Sequence, residues 1–259
     1  MTEQGIKQYD FGKVTYNTSS LGNIRIIKVE NHSNPDLFNG TVIFPAQIDG
    51  SPIAMIGEKA FKDFSCDELV LPIGTTLLFG AFEDSKIKKI HIPCTEAIPT
   101  ECFKNSWLEE LADSSSVAFI GNGAFAGTAN LKYFKWFEKA TCIPLNCFQH
   151  SGIRKIEGIQ DVKIIQEGAF EGSKLEEITL TDSVFLNQEC FANSLLKRIG
   201  SLNGGGELKL PTSAINGCGI VDVSDFDIVN LRKIKLSDPK IKLKTGFDTV
   251  IVNGKDYLE

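Results

Sequence analysis

The chain has 259 residues, a net charge of -6 and a sequence pI of about 5.3, so it is not expected to bind nucleic acid or an acidic membrane through general electrostatic attraction. Its hydrophobic content of 42% and charged content of 23% are ordinary for a globular protein. No apolar run approaches the roughly 18 residues that a membrane-spanning helix needs, so we expect no membrane insertion.

The N-terminal part lacks the repeat that fills the rest of the chain, and we predict that residues 1–52 form an N-terminal β cap. Two segments rich in β-branched residues, Ile24 to Glu30 and Thr41 to Phe44, are predicted strands. Such a cap has a physical reason, because an open terminal coil would expose unpaired backbone groups and apolar surface.

A repeat fills residues 53–225 in about eight copies of 21 to 24 residues. Each copy has a large apolar residue directly after Ala or Cys, and we call this residue the anchor: Phe61, Phe82, Phe103, Phe125, Phe148, Phe170, Phe191 and Ile215. A period of this length predicts a solenoid, because one short unit cannot bury its apolar face without its neighbours. We therefore expect the anchor rings to be buried.

Other positions of the repeat predict its local structure. An apolar pair lies five and eight residues after most anchors, as in Ile87 and Ile90, and favours a short strand that stacks in parallel with its copies. Small and polar residues around the anchor, as in Ala81 to Ser85, favour a single helical or 3-10 turn. After Val223 the anchor segment is lost, and we predict that residues 226–259 are shortened repeats that form a C-terminal cap.

Aligned with one another, the copies follow the pattern LxxLxLP and then I-G-x-x-A-F-x-x-(S/C). This pattern resembles the BspA-like or Treponema-type class of leucine-rich repeats. The resemblance covers about Gly40 to Asp225 and is clearest at Gly40 to Phe61, at AFEDS (Ala81 to Ser85) and at IHIP (Ile90 to Pro93). It implies an α/β fold class: a right-handed leucine-rich-repeat solenoid, strand-dominated, with a parallel β-strand stack and short helical or 3-10 turns. It also implies a bacterial or protist binding protein without catalytic activity, many relatives being adhesion proteins on cell surfaces.

The residues capable of catalysis or metal binding form no convincing site in the sequence. Cys102, Cys147 and Cys190 directly precede an anchor, where other copies have Ala, which predicts small buried side chains. The segment from Gly121 to Ala126 fits a dinucleotide-binding pattern, but it is one copy of the repeat and lacks the long helix that the pattern requires. We therefore predict no catalytic residue, cofactor or metal; an enzyme would need a reactive Cys94, Cys142 or His91.

Charged pairs six and seven residues after the anchor alternate in sign at most steps. The sequence has these pairs: Asp67-Glu68, Lys88-Lys89, Glu109-Glu110, Lys132-Tyr133, Arg154-Lys155, Glu176-Glu177 and Lys197-Arg198. Ion pairing between successive coils is the simpler interpretation. A charged recognition surface is the alternative.

The alternation fails between Lys132 and Arg154, where two basic pairs follow one another. Because binding surfaces are enriched in Tyr, Trp and Arg, we predict a partner-binding patch on this side of the repeats. Its candidate residues are Lys132, Tyr133, Lys135, Trp136, Arg154, Lys155 and, on the same predicted strand face, His91.

We expect a monomeric protein-interaction module with a protein partner; the alternative is a structural spacer or scaffold without a dedicated ligand. The number of cysteines, seven and therefore odd, and the lack of a recognisable signal sequence at the N-terminus favour a cytoplasmic protein. The alternative is a cell-surface or secreted protein whose leader has been removed.

Overall fold

The computed structural model describes residues 3–31, 40–206, 208–211, 213–226, 242–244 and 249–251. Most of the predicted C-terminal cap, including Leu231 to Ile241, lies outside these residues. The chain divides into two compact units, Met1–Leu131 and Lys132–Glu259, and each is described by itself. Within the described ranges there are 22 strands and no helix.

Unit 1 begins with an antiparallel meander that leads into parallel coils. Its strands are β1 (Glu3–Tyr9), β2 (Gly12–Thr18), β3 (Ile24–Asn31), β4 (Thr41–Ile43), β5 (Gln47–Ile48), β6 (Ser51–Ile56), β7 (Ser65–Val70), β8 (Thr76–Leu77), β9 (Lys86–His91), β10 (Ala97–Ile98), β11 (Glu110–Ala112) and β12 (Phe119–Ile120). Strands β1, β2 and β3 pair antiparallel, and β3 then pairs parallel with β6. The predicted strands at Ile24 and Thr41 are confirmed, whereas β1 and β2 were not predicted.

The repeats of unit 1 contribute strands to several parallel sheets. The longer strands form the order β4-β7-β9-β11. The two-residue strand β8 pairs with β6 of the meander sheet, and the two-residue strands β10 and β12 form a separate pair. The anchors Phe61, Phe82, Phe103 and Phe125 lie between these sheets and are fully buried. Their successive ring centroids are 5.0, 5.4 and 5.3 Å apart, close to the spacing of hydrogen-bonded strands.

Unit 2 repeats this arrangement. Its strands are β13 (Tyr133–Lys135), β14 (Cys142–Ile143), β15 (Lys155–Glu157), β16 (Ile164–Ile165), β17 (Glu177–Leu180), β18 (Phe185–Leu186), β19 (Arg198–Ser201), β20 (Ile220–Asp222), β21 (Lys242–Lys244) and β22 (Thr249–Ile251). The short strands pair as β14-β16-β18, and the longer strands form two separate sheets, β13-β15 and β17-β19-β20-β21-β22. The anchors Phe148, Phe170 and Phe191 are fully buried and stack at 5.3 and 5.6 Å.

The strand-dominated solenoid is confirmed, but the α/β label and the helical turns are not. The segments around the anchors are hydrogen-bonded turns. Each of the seven phenylalanine anchors has a positive φ two residues before it and two residues after it: Lys59 and Asp63, Gly80 and Asp84, Glu101 and Asn105, Gly123 and Gly127, Asn146 and His150, Gly168 and Gly172, Glu189 and Asn193. Two left-handed residues four positions apart interrupt a right-handed helical turn.

The backbone amides of these turns donate hydrogen bonds both within their own turn and to the next coil. One set of amides donates locally, as from Ala60 N to the carbonyl oxygen of Gly57 at 3.3 Å. The alternate set donates to the next coil, as from Phe61 N to Ala81 O at 3.0 Å. Because left-handed residues point every second amide along the stack, the turns continue the hydrogen-bond ladder of the strands.

Candidate partner-binding face

The longer strands of unit 2 carry the predicted patch on their exposed face. In β13 and β15 a buried residue, Phe134 or Ile156, alternates with exposed neighbours on both sides. The register places Tyr133 beside Lys155 and Lys135 beside Glu157. A backbone hydrogen bond of 2.8 Å from Arg154 N to Lys132 O brings these two basic residues into adjacent positions.

Glu157 is the acidic centre of this patch. Tyr133 donates its hydroxyl hydrogen bond to Glu157 Oε2 at 2.7 Å, and Lys155 Nζ lies 2.7 Å from Glu157 Oε1. The hydrogen bonds from Lys155 and Tyr133 lower the pKa of the Glu157 carboxyl, and the same contacts raise the pKa of Lys155 and of Tyr133. The tyrosine ring, 49% exposed, is therefore held across two coils rather than extended into solvent.

Trp136 does not belong to the exposed patch. It is 2% exposed, and its Nε1 donates a 2.8 Å hydrogen bond to the carbonyl oxygen of Ala140. Strand β13 ends at Lys135, after which the chain turns inward and packs the indole 6.1 Å from the Phe148 ring. The prediction of Trp136 as a contact residue was wrong, because the apolar ring and its N–H are both satisfied inside unit 2.

His91 belongs to unit 1, on β9, and so lies in the other unit from the remaining candidates. Its Nδ1 lies 2.5 Å from Asp113 Oδ2 and its Nε2 lies 2.7 Å from Glu68 Oε1. The hydrogen bond with Asp113 is the main cause of a raised pKa of His91, and the contact with His91 is the main cause of a lowered pKa of Glu68. The imidazole thus joins three successive coils.

Ion pairs form between coils where the charges alternate in sign. Lys88 lies 2.6 Å from Asp67, Lys89 lies 3.5 Å from Glu68 and 3.1 Å from Glu110, and Lys197 lies 2.8 Å from Glu176. Exposed pairs of this kind stabilise a protein by about 0.2 to 1 kcal/mol each. The interpretation as inter-coil pairing is therefore confirmed for these steps.

A groove of about 520 Å³ adjoins the patch in unit 2. The lining residues come from β15, β17 and the chain that follows each: Arg154, Lys155, Ile156, Glu157, Gly158, Ile159, Gln160, Glu176, Glu177, Ile178, Thr179 and Leu202. Thr179, nine residues after its anchor, lies on the predicted strand face. The sequence analysis missed Gln160 and Leu202, because the repeat pattern shows which residues face outward but not where two coils separate.

Four of the seven cysteines have the environment of packing residues, whereas Cys94 is exposed. Cys102, Cys147 and Cys190 are buried, as predicted, and Cys66 is buried as well. Burial raises the pKa of the Cys66 thiol to about 12 and also raises the pKa of Cys102, Cys142 and Cys190. A nucleophilic cysteine requires the opposite shift, toward thiolate at neutral pH.

The glycines of the dinucleotide-like segment have structural roles. A Cβ at Gly121 would collide with the backbone of Thr100 on the neighbouring coil, and Gly123 has a φ of +62° in the turn. Among the described residues no group of three His, Cys, Asp or Glu side chains could hold a metal ion. The same part of the chain has no helix that could cross a membrane.

Comparisons with known proteins agree with this architecture. A family model described as the BspA type leucine rich repeat region matches in six copies, over residues 5–106, 34–151 and 96–220. A solved leucine rich cell surface protein from Faecalibacterium prausnitzii is similar at 16% identity with a TM-score of 0.62, over 84% of this chain and 70% of that chain. At this identity the similarity shows the fold alone.

A second solved structure, the leucine rich repeat protein of T. pallidum, aligns with 90% of this chain and 97% of its own at 17% identity. Its TM-score of 0.39 is too low to bear on the fold. No curated protein gives a significant match.

Proposed function

The chain belongs to the BspA-type leucine-rich repeat family, and from this premise we propose that it is a non-enzymatic module that binds a protein partner through the strand face of its repeats. The binding surface is the basic patch of unit 2, which consists of Lys132, Tyr133, Lys135, Arg154 and Lys155. Repeat proteins of this kind offer an extended rigid surface, because each coil is fixed by its neighbours.

One observation carries the proposal: two basic pairs adjoin at the step from Lys132 to Arg154, where the other coils alternate in sign. Two like charges on adjacent coils weaken the stack. The fold does not require this repulsion between coils. We therefore expect it at a place where the exposed charges serve to bind a partner. Tyr133, half exposed and held by Glu157, adds a rigid aromatic contact of the kind that binding surfaces favour.

A spacer without a ligand is the second candidate. It is favoured by unit 1, where Lys88, Lys89 and His91 are all paired with carboxylates of neighbouring coils. Such pairing is expected of a strand face whose charges serve only to hold the coils together.

The compartment forms part of the proposal. The similar protein from Faecalibacterium prausnitzii is described as a cell surface protein, which supports an adhesion-type role at a bacterial surface. The seven free cysteines fit a reducing cytoplasm better. Fractionation of the native bacterium with an antibody against this chain separates the two.

A pair of charge reversals tests the patch. The double variant Lys135→Glu with Arg154→Glu should no longer capture the partner that the wild-type chain recovers from cell lysate or host extracellular material. The melting temperature should stay close to that of the wild type, because both side chains are exposed.

The control carries the same charge change elsewhere in unit 2. Lys163→Glu with Lys174→Glu reverses two exposed lysines outside the patch and should retain the partner. Equal capture by both double variants would reject the patch, and failure of the wild-type chain to enrich any partner would favour the spacer.

A further inference from the structure

Strand β1, at the edge of the antiparallel meander in unit 1, has one open side. It is the first strand in the order β1-β2-β3-β6-β5 and pairs only with β2, over all of its seven residues. At the other end of this order, β5 has only two residues. In the described part of the chain, β1 is the longest strand that is paired on one side only.

The hairpin turn determines which backbone groups of β1 point to the open side. Tyr9 and Gly12 are the last partners before the two-residue turn, and at this position the two residues bond to each other. Bonded and non-bonded pairs alternate along an antiparallel ladder, and this ladder has no register shift. The N–H and C=O groups of Gln4, Ile6 and Gln8 therefore point away from β2.

Strand β1 lacks the features by which proteins commonly block an open edge. Such features include a proline, a β-bulge, a very short strand and an unpaired charge. The strand has no proline and no bulge, and Gln4, Ile6 and Gln8 on its exposed face are uncharged. Lys7, on the other face, is already neutralised, because its Nζ lies 2.6 Å from Asp49 Oδ1. The edge is therefore open to a further strand.

The spacing of the outward residues makes β1 complementary to a second copy of itself. In an antiparallel pair centred on Ile6, this residue lies opposite Ile6 of the second copy, and Gln4 lies opposite Gln8. All six outward backbone groups are then bonded, whereas a shift of two residues leaves Gln4 or Gln8 without a partner among them. The side chain of Ile6, 65% exposed in one chain, gains an apolar contact.

The charges of β1 permit this pairing as well. Lys7 lies opposite Gly5 of the second copy, so no two like charges are directly opposed, and each Lys7 keeps its own counterion in Asp49. A twofold axis also pairs the same edge in both copies, so neither β1 strand is left open to a third chain.

We propose that two copies of this chain form a twofold-symmetric dimer in which their β1 strands pair antiparallel and join the two meander sheets into one. Strand β1 was not predicted from the sequence, so its edge did not enter the expectation of a monomer. The inference goes beyond the proposed function, because β1 belongs to unit 1 and the basic patch to unit 2.

Sedimentation velocity of the full chain tests the dimer. Between about 1 μM and about 1 mM, the range of weak association, the mass should rise from the 28.4 kDa of one chain toward twice that value. Ile6→Pro removes an outward N–H, a change that edge strands accept, and should remain monomeric over this range. Ile6→Thr keeps the N–H and a β-branched side chain, and should dimerise within about tenfold of the wild-type affinity.

Disulfide formation tests the register. Across the twofold axis the two Ile6 Cα atoms are expected about 5.5 Å apart, within disulfide reach, and the two Gln4 Cα atoms roughly 14 Å apart. Under mild oxidation Ile6→Cys should therefore crosslink to its own equivalent, whereas Gln4→Cys should crosslink only when it is mixed with Gln8→Cys. Mass spectrometry of the linked peptides distinguishes these bonds from any at the exposed Cys94.

A mass of one chain throughout the concentration range would overturn the proposal, as would an Ile6→Pro variant that dimerises like the wild type. Crosslinking of Gln4→Cys to itself as readily as to Gln8→Cys would reject the register. Circular dichroism checks that Ile6→Pro is folded; if it is not, the crosslinks decide. An Ile6→Pro variant that is monomeric and still captures the partner supports the dimer edge and leaves the proposed function intact.

Discussion

The imidazole of His91 shows how one residue can make the strand face sensitive to pH. Both of its ring nitrogens face carboxylate oxygens, of Asp113 and Glu68, and only the imidazolium form can donate to both. Lys89, on the same strand, also lies near Glu68 and Glu110, so the surroundings of His91 contain one cation and three carboxylates. This excess of negative charge favours the protonated ring.

The raised pKa of His91 in the folded state determines whether stability rises or falls with pH. The stabilisation by protonated His91 is present in full below the usual histidine pKa of about 6.5 and is lost as the pH rises through the raised pKa. The denaturant midpoint of the wild type should therefore fall as the pH rises above about 6.5, the usual histidine pKa, and His91→Gln should reduce this dependence. A slope for His91→Gln equal to that of the wild type would contradict the assignment.

Truncation of the anchor Phe148 should strongly reduce the stability of the protein. Its ring is fully buried, stacks on Phe170 at 5.3 Å and contacts the ring of Phe134 at 5.5 Å. Phe148→Ala should lower the free energy of unfolding by about 3 to 5 kcal/mol, as measured by denaturant titration. Phe185→Ala removes a ring that is 59% exposed and should change it by less than about 0.5 kcal/mol. Similar losses in the two variants would show that the anchors are not the core.

At the scale of the element, the turns around the anchors depend on left-handed residues. Gly172 has a φ of +62°, and a Cβ there would also collide with the ring of His150 on the preceding coil. Gly172→Ala should therefore destabilise the protein by about 1 to 2 kcal/mol. Gly40→Ala, at a position without positive φ and without atoms within 4 Å of the added Cβ, should have an effect below about 0.5 kcal/mol in the same titration. Equal effects would show that the turns tolerate a right-handed backbone.

The longer strands of the repeats were predictable from the sequence, whereas the conformation of the turns was not, for a physical reason. Burial in the strands follows from apolar residues, so the anchors and pairs such as Ile87 and Ile90 identify the core directly. The turns instead depend on backbone conformation, whose sequence signal is the Gly, Asn or Asp that often stands two residues after the anchor, as at Asp63 and Asn105. This signal was present but was interpreted as a helical turn.

The candidate site was predictable only in part. The exposed positions of Tyr133, Lys135, Arg154 and Lys155 follow from the alternation within a strand. The burial of Trp136 could not be inferred, because it depends on the path of the chain after β13. The groove could not be inferred either, because the repeat pattern does not show where the backbone segments after Glu157 and Thr179 separate.

At the scale of the whole molecule, local and total charge differ in sign. The chain carries a net charge of -6, yet the adjoining pairs at Lys132 and Arg154 make one surface of unit 2 basic. An acidic partner is therefore repelled by the protein in general and attracted at this surface, which restricts where it can bind. The attraction acts over about 10 Å at moderate salt, so it guides the partner only near the patch.

The ladder that passes through strands and turns alike has a mechanical consequence. Within each unit the hydrogen bonds between coils, such as Phe82 N to Cys102 O and Phe170 N to Cys190 O, run along the stacking direction. Tension applied along that direction acts equally on every coil boundary, so the weakest boundary is expected to open first and the coils to separate one after another. Each released coil would lengthen the chain by roughly 70 Å, from about 3.3 to 3.6 Å per extended residue. If the chain binds a partner as proposed, such a stack would lengthen stepwise under load and absorb a pull before the partner is released.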